Sequence, residues 1–262
     1  MNRAQFEAAS LAGAKWYPAS DNRIVATVFG DTKIVVDQAD FSVTPHLVMS
    51  GYWESWISVW ALSNVQSVDK ALNIGANCGY YTMLFARRGA EVVAVEPQPK
   101  LANGIQISAA LNGWSEAVKV YACVAGRAER PVRMRLYDDF HGSAHVMSPS
   151  MQDHPDLRTH SVDAFEQPAH DLMPDATVVF IDAEGYEPCI WDGLSPLLEK
   201  NQLRWVALEW APVRYGDSKG FIAKMREYGT LATVRDDGSE VRVSDDELLS
   251  GGEWDTLVVR RH

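Results

Sequence analysis

The sequence predicts an α/β protein built on a doubly wound, mainly parallel sheet of seven strands, with a hairpin and a helix added at the N-terminal side. Three observations lead there. From about residue 69 onward, short apolar runs alternate with helical patterns, as strand–helix–strand units require. The first of these runs ends in a glycine turn, "NIGANCG", that opens a helix. The second ends on an acid, Glu96.

The elements follow in order. Residues 1–20 are mixed in character and read as a short helix or a loose arm. "RIVATVFGDTKIVVDQ" reads as two strands joined at Gly30-Asp31, a hairpin. "GYWESWISVWALSNV" carries Trp53, Trp56 and Trp60 at helical spacing and reads as an amphipathic helix. Such a stripe is more often core packing than a wall for an acceptor. "KALNIG" is then a buried strand, "GYYTMLFARRG" a helix stopped by Gly89, and "AEVVAVE" a strand. "PKLANGIQISAALNG" is a helix with Pro99 at its start and Gly113 at its end. "AVKVYACVA" is a third strand and "PVRMRLYD" an additional one. Residues 138–160 form a long polar segment, the kind of loop that carries function or moves. "ATVVFIDAEG" is a strand, "YEPCIWDGLSPLLEK" a helix, "LRWVALEW" a strand and "SKGFIAKMREYG" a helix. "TLATVRDDGSEVRVS" gives a strand and turn, and "WDTLVVRR" the last strand. No linker-like stretch divides the chain. Residues 1–66 are expected to pack on a main domain of residues 67–262 as one compact unit.

At 262 residues, with 47% hydrophobic and 23% charged, the chain can bury the core of an ordinary globular protein. The net charge of -11 argues against nucleic acid as a partner. Arg127, Arg130, Arg133 and Arg135 alternate as on the wet face of a strand. Three scattered cysteines, Cys78, Cys123 and Cys189, suit a reducing compartment, hence a cytoplasmic location. No secretory signal is visible, and no apolar run is long enough for a bilayer, so no membrane association is expected. No zinc-type spacing occurs and no metal ligands are assigned; a magnesium site would rest on carboxylates that the sequence does not mark out. Oligomeric state is not readable.

Ligands in such sheets sit at the carboxyl ends of the strands, where strand order reverses. Gly75 permits a sharp turn. Gly79 permits a close approach of backbone to ligand or of helix to helix. Glu96 is placed to accept hydrogen bonds from two ribose hydroxyls. A dinucleotide fingerprint would want G-x-G-x-x-G facing a pyrophosphate. Here Asn77 holds the middle position, and Tyr80-Tyr81 stand where the later glycine would be. That pattern suits S-adenosyl-L-methionine, which has no phosphate, better than NAD. An NAD-dependent oxidoreductase and a non-catalytic scaffold of the same fold stay open as alternatives.

"LNIGANCGYYTMLFARRGAEVVAVEPQP" also resembles the opening of FkbM-type methyltransferases, S-adenosylmethionine-dependent O-methyltransferases of the class I Rossmann-like fold. "FIDAEGYEPCIWDGL", "HGSAHV" and "VALEW" resemble further stretches of that family, and the hairpin with "GYWE" fits its N-terminal part. The resemblance runs from about residue 23 to about residue 212. It implies that Gly75, Asn77, Gly79 and Glu96 line the cofactor, and that Asp182, Glu184 and Glu187 lie around the reaction centre or support it. Tyr80 joins the cofactor group by its place in the same loop. Phe180 stands where the family often has a lysine, and His145 where a small hydroxyl residue is common.

Methyl transfer to oxygen is an in-line displacement, so the protein mainly aligns the partners. A hydroxyl acceptor also needs a base within reach, whereas a carboxylate does not. Asp182 and Glu184 alternate on an extended chain and point alike; Asp182 would hold the cofactor's ammonium or the acceptor, with Glu184 as acceptor-side partner or base. Glu187 is read as a helix N-terminal acid. Glu209 closes an apolar strand and needs a pocket or an ion pair. His141 and His145, in the long loop, are candidate bases or plain loop histidines. Cys78 reads as a small buried residue. The expected acceptor is a small molecule, natural product or glycan.

Overall fold

The computed structural model describes residues 1–147, 158–250 and 255–262. Three strands form first: β1 (Trp16–Pro18), β2 (Arg23–Val28) and β3 (Thr32–Asp37). They make an antiparallel sheet of their own, and β2 and β3 are the expected hairpin. Next come β4 (Lys70–Ile74), β5 (Glu91–Val95), β6 (Val118–Tyr121), β7 (Val124–Gly126), β8 (Arg130–Tyr137), β9 (His145–Val146) and β10 (Thr159–Pro168). The last are β11 (Val178–Ile181), β12 (Trp205–Trp210), β13 (Gly229–Val234), β14 (Glu240–Arg242) and β15 (Asp255–Arg261). Between them run α1 (Arg3–Gly13), α2 (Thr44–Ser50), α3 (Ser55–Asn64), α4 (Tyr80–Arg87), α5 (Pro99–Leu111), α6 (Ala169–Leu172), α7 (Glu187–Gly193), α8 (Ser195–Glu199), α9 (Ser218–Tyr228) and α10 (Asp245–Ser250).

The main sheet has the order β14-β13-β15-β12-β11-β4-β5-β6. It is parallel from β12 to β6, whereas β15 runs antiparallel to both neighbours and β14 antiparallel to β13. The expected seven mainly parallel strands are thus eight strands of mixed direction. The difference lies at one edge, where the turn at Gly238 folds β14 back on β13, and the final strand inserts between β12 and β13. From β4 the chain moves outward through β5 and β6, then returns on the other side through β11 and β12. The strand order reverses between β4 and β11, where a crevice opens at the carboxyl ends. The strands flanking it, KALNI and VVFI, are almost wholly buried, as strands covered on both faces must be.

Other readings are corrected in detail. "AVKVYACVA" breaks at Cys123, and β7 leaves the main sheet to pair with β10 in a third sheet, β7-β10-β8-β9. β10, "THSVDAFEQP", was not expected as a strand; most of it is half-buried, and it takes up the end of the 138–160 segment. Residues 148–157 of that segment lie outside the described residues. "YEPCIWDGLSPLLEK" divides into α7 and α8 before Pro196. α3 starts at Ser55, so Trp53 precedes it, and its buried residues include Ile57, Ser58, Val59, Trp60 and Ala61 rather than one stripe. The "WDTLVVRR" strand begins at Asp255, and Trp254 lies outside the described residues.

Residues 1–66 share a core with the main sheet. Phe6, Ala26, Ile34 and Trp60 belong to the same buried cluster as Tyr80, Phe85, Trp205 and Val258. Trp60 meets Trp205 at 5.0 Å in an edge contact. A second cluster, from Leu72 and Ile74 to Trp210 and Phe221, fills the other face of the sheet. Among the described residues no helix is long and apolar enough to cross a membrane.

Candidate functional site

A cavity of about 390 Å³ opens at the carboxyl ends of β4, β5, β11 and β12, within the range of small-molecule sites. Its lining brings together Gly75, Asn77, Tyr80, Glu96, His141, His145, Asp182, Glu184 and Glu209. It also holds Trp53, which the sequence favoured as core packing over an acceptor wall, and Glu54, which was not singled out.

The glycine loop is shaped by contact more than by flexibility. Gly75 has φ +74, and a Cβ there would lie 1.7 Å from the Asp182 carbonyl oxygen, so β4 passes β11 only without a side chain. Gly79 follows the second of its two expected roles. It faces not the cavity but Ile105 of α5, whose Cγ1 would be 2.8 Å from a Cβ, so its task is to let two helices pack. The loop amides are largely engaged: Gly75 and Ala76 N–H donate to the Val95 carbonyl (2.9 and 3.0 Å) and Gly79 N–H to Ala76 (2.7 Å). Asn77 N–H donates to Glu96 Oε2 at 2.8 Å. Glu96 Oε1 accepts from Gln98 N–H at 2.9 Å, so each carboxylate oxygen keeps accepting capacity for a ligand hydroxyl. Burial pushes the Glu96 carboxyl up to about 7, against the pull of those amides. Tyr80 borders the cavity, but its hydroxyl is shared with Ser58 Oγ at 2.8 Å.

Asp182 ends β11. Its side chain is open to the cavity although protein surrounds it, and that enclosure raises its carboxyl despite Arg214 nearby. Glu184 has φ +55, a left-handed conformation uncommon for this residue, and pairs with the Arg214 guanidinium. Glu209 Oε2 is buried, lies 3.6 Å from Arg214 Nη1 and has no hydrogen-bond partner among the described residues. Burial first, then the charges of Asp182, Glu184 and Glu187, hold Glu209 far above the usual carboxylate range. One oxygen of each of Asp182, Glu184 and Glu209 lies within 4.8 Å of the others, so this trio could hold a cation; Arg214 already supplies one. Glu187 is structural in another way than expected. Its oxygens accept the Ala183 N–H (2.8 Å) and the Gly185 N–H (3.0 Å), closing the "DAEG" turn on itself.

The histidines reach the cavity through a 3-10 turn at His141–Ser143. His141 Nε2 contacts Asp37 Oδ2 at 2.9 Å, and its buried Nδ1 has no hydrogen-bond partner among the described residues. Asp37 also pairs with Lys100, tying β3, α5 and the loop together. His145 Nδ1 meets the Ser143 carbonyl at 3.0 Å, and the residue borders both the cavity and an outer depression lined by Arg130, Arg133, Tyr137 and Arg214. Phe180 is core, its ring tilted against Tyr81 with centroids 4.4 Å apart, and brings no charge to the site. Cys78 is buried, its thiol pushed up to about 12 by burial first.

Arg214 was not singled out from sequence, because nothing local announces it; the 3-10 turn Pro212–Arg214 after β12 carries it there. Glu54 had a faint signal, a lone acid in an apolar, tryptophan-rich stretch.

No protein-family profile matches the chain, and no curated protein matches it. Among solved structures it is similar to a methyltransferase FkbM from Methylobacillus flagellatus KT, with TM-score 0.47 and 14% identity over 75% of this chain. The match spans 44% of that protein, less than half its length. It is also similar to TYW2 of Pyrococcus horikoshii in complex with MeSAdo (TM-score 0.47, 12% identity, 92% of this chain and 71% of that one). A TehB-like SAM-dependent methyltransferase from Corynebacterium glutamicum gives TM-score 0.44 and 13% identity over 84% of this chain and 94% of that one.

Proposed function

We propose that the protein is an S-adenosyl-L-methionine-dependent O-methyltransferase of the FkbM type, acting on a hydroxyl or carboxyl of a small molecule, natural product or glycan. One observation carries the reading. The cavity is lined by five carboxylates, Glu54, Glu96, Asp182, Glu184 and Glu209, and among its described lining residues there is no lysine or arginine. Such a wall favours a ligand with positive charge and disfavours a pyrophosphate. The amides of Gly75, Ala76, Asn77 and Gly79, which a dinucleotide would need, already donate to protein acceptors. NAD is therefore the weaker fit.

The cofactor's sulfonium supplies an activated methyl group. The remaining work falls to the chain's own residues. Glu96, fixed by two backbone amides, would accept from ribose hydroxyls. Glu184, raised to about 7 by burial and Asp182 and held by Arg214, would take a proton from a hydroxyl acceptor near neutral pH. His145, at the border of cavity and outer depression, is the second candidate for that role.

The test is calorimetric titration with S-adenosylmethionine, S-adenosylhomocysteine and NAD, using Glu96→Ala as control. Binding of the first two and weakening of each by at least about tenfold in the variant is expected, because a charge-assisted hydrogen bond is worth about 1.5–3 kcal/mol. Binding of NAD alone would overturn the reading. Transfer of label from methyl-labelled cofactor to candidate hydroxyl and carboxyl compounds, read by mass spectrometry, then identifies the acceptor.

A further inference from the structure

We infer that Glu54, with Asp182, forms the seat for the ammonium of the cofactor's amino-acid end; this rests on the proposed methyl-donor reading. The glycine loop cannot supply that charge. Asn73 is neutral, and its Nδ2 donates inward to Thr82 Oγ1 at 2.8 Å. Asn77 offers an amide. The counter-charge for an ammonium must come from beyond the loop, and the cavity wall there holds Glu54 and Asp182.

Three observations single out Glu54. First, its backbone is in the left-handed region, φ 39 and ψ 65, at the head of α3. A glutamate seldom adopts that conformation, and here its side chain borders the cavity. Asn77 and Glu184, on the same cavity wall, are strained likewise. Second, the carboxylate is aimed. Tyr81 Oη donates to Glu54 Oε2 at 2.8 Å, and Tyr81 is itself locked on Phe180. Third, the charge is unanswered. Glu54 has no ion-pair partner among the described residues, and the charge it feels most is that of Asp182, of like sign; Asp182 in turn feels Arg214 only at a distance. Burial and that repulsion push Glu54 up to about 7. Two carboxylates that line one cavity and repel each other are stabilised by one cation between them. An ammonium with three N–H donors fits that position in charge and hydrogen bonding. Arg214 lies closest to the acceptor-side acids, Glu184 and Glu209, and no cation acts on Glu54, so the Glu54 end of the acidic wall is the one left without a counter-charge.

The test compares two ligands. S-adenosylhomocysteine carries the ammonium; 5′-methylthioadenosine keeps the nucleoside and sulfur but has no amino-acid end. Glu54→Gln should weaken S-adenosylhomocysteine about 10- to 100-fold by calorimetry and leave 5′-methylthioadenosine within about threefold. Retained 5′-methylthioadenosine binding also shows that the variant is folded. If Glu54→Gln fails to fold, the deamino analogue of S-adenosylhomocysteine, titrated into unaltered protein, should bind about 10- to 100-fold more weakly than the parent. Equal loss of both ligands in a folded variant, or no loss of S-adenosylhomocysteine, or parity of the deamino analogue, would overturn the role of Glu54 and leave the methyltransferase reading intact. Failure of unaltered protein to bind any of the three ligands would instead sink that reading and this one with it.

Discussion

Buried acids are the dominant feature at the scale of single residues. Glu187 shows how one can be structural and still shape the protein's response to pH. It is fully buried, and burial raises its carboxyl to about 7 although Ala183 and Gly185 donate to it. In the unfolded chain it would titrate near 4.5. Between about 4.5 and about 7 the folded state therefore binds more protons, and its stability falls as pH rises through that window. Glu54 and Glu96 act in the same direction. Urea unfolding of ligand-free protein at pH 5, 6 and 7 should show a midpoint that declines with pH. Glu187→Gln should flatten the decline, and an unchanged slope would show that Glu187 is ionised throughout. Of these residues, Glu96 was readable from sequence because it follows the next strand after the glycine loop and its helix. Glu187 was readable as structural, but not its partners, which depend on how the "DAEG" turn closes.

The elements around the cavity owe their positions to short polar connections. Asp40 is the clearest. Its carboxylate accepts from the backbone N–H of Ser42 (3.1 Å), Val43 (3.0 Å) and Thr44 (2.9 Å), and from that of His141 at 3.3 Å. Burial would raise it, but the Ser42 hydroxyl and these amides outweigh burial and hold it below the ordinary value. One side chain thus starts α2 and anchors the 3-10 turn that carries the histidines. Asp40→Ala should lower stability by about 1–2 kcal/mol, as loss of a helix cap does. It should also weaken S-adenosylhomocysteine binding, because the His141 wall is released; undiminished binding in a destabilised variant would separate the two roles. The alternation of strands and helices made most of these elements legible. β10 was not, since its polar pattern resembles loop until β8 is beside it.

At the scale of the whole molecule, residues 1–66 are part of the core and part of the site. α3 presses Trp60 against Trp205 of β12, Trp60 Nε1 donates to Glu240 Oε1 at 2.6 Å, and the segment just before α3 delivers Trp53 and Glu54 to the cavity. Trp60→Ala should cost about 3–5 kcal/mol, the usual loss for a large buried aromatic. The unaltered chain should unfold in one transition whether followed by far-ultraviolet circular dichroism or by tryptophan fluorescence. Two separated transitions would mean that the N-terminal part folds independently.

By itself, the sequence determined what local chemistry decides: the hairpin, the alternation of strand and helix, the glycine turn at the end of β4 and the acid at the end of β5. Those features depend on neighbours within one or two elements, through hydrogen-bond period, turn geometry and the run of apolar residues. Only the tertiary structure decided which acids share a space and which are answered. Glu54 feels Asp182, Asp37 meets His141, and Arg214 meets Glu184 and Glu209, each pair brought together by the packing of elements far apart in sequence and not by spacing along the chain. It also decided the edge of the sheet, where β14 and β15 take their places by pairing with strands already laid down. Charge acts through space, and a sequence lists charges without the distances that give them their strength.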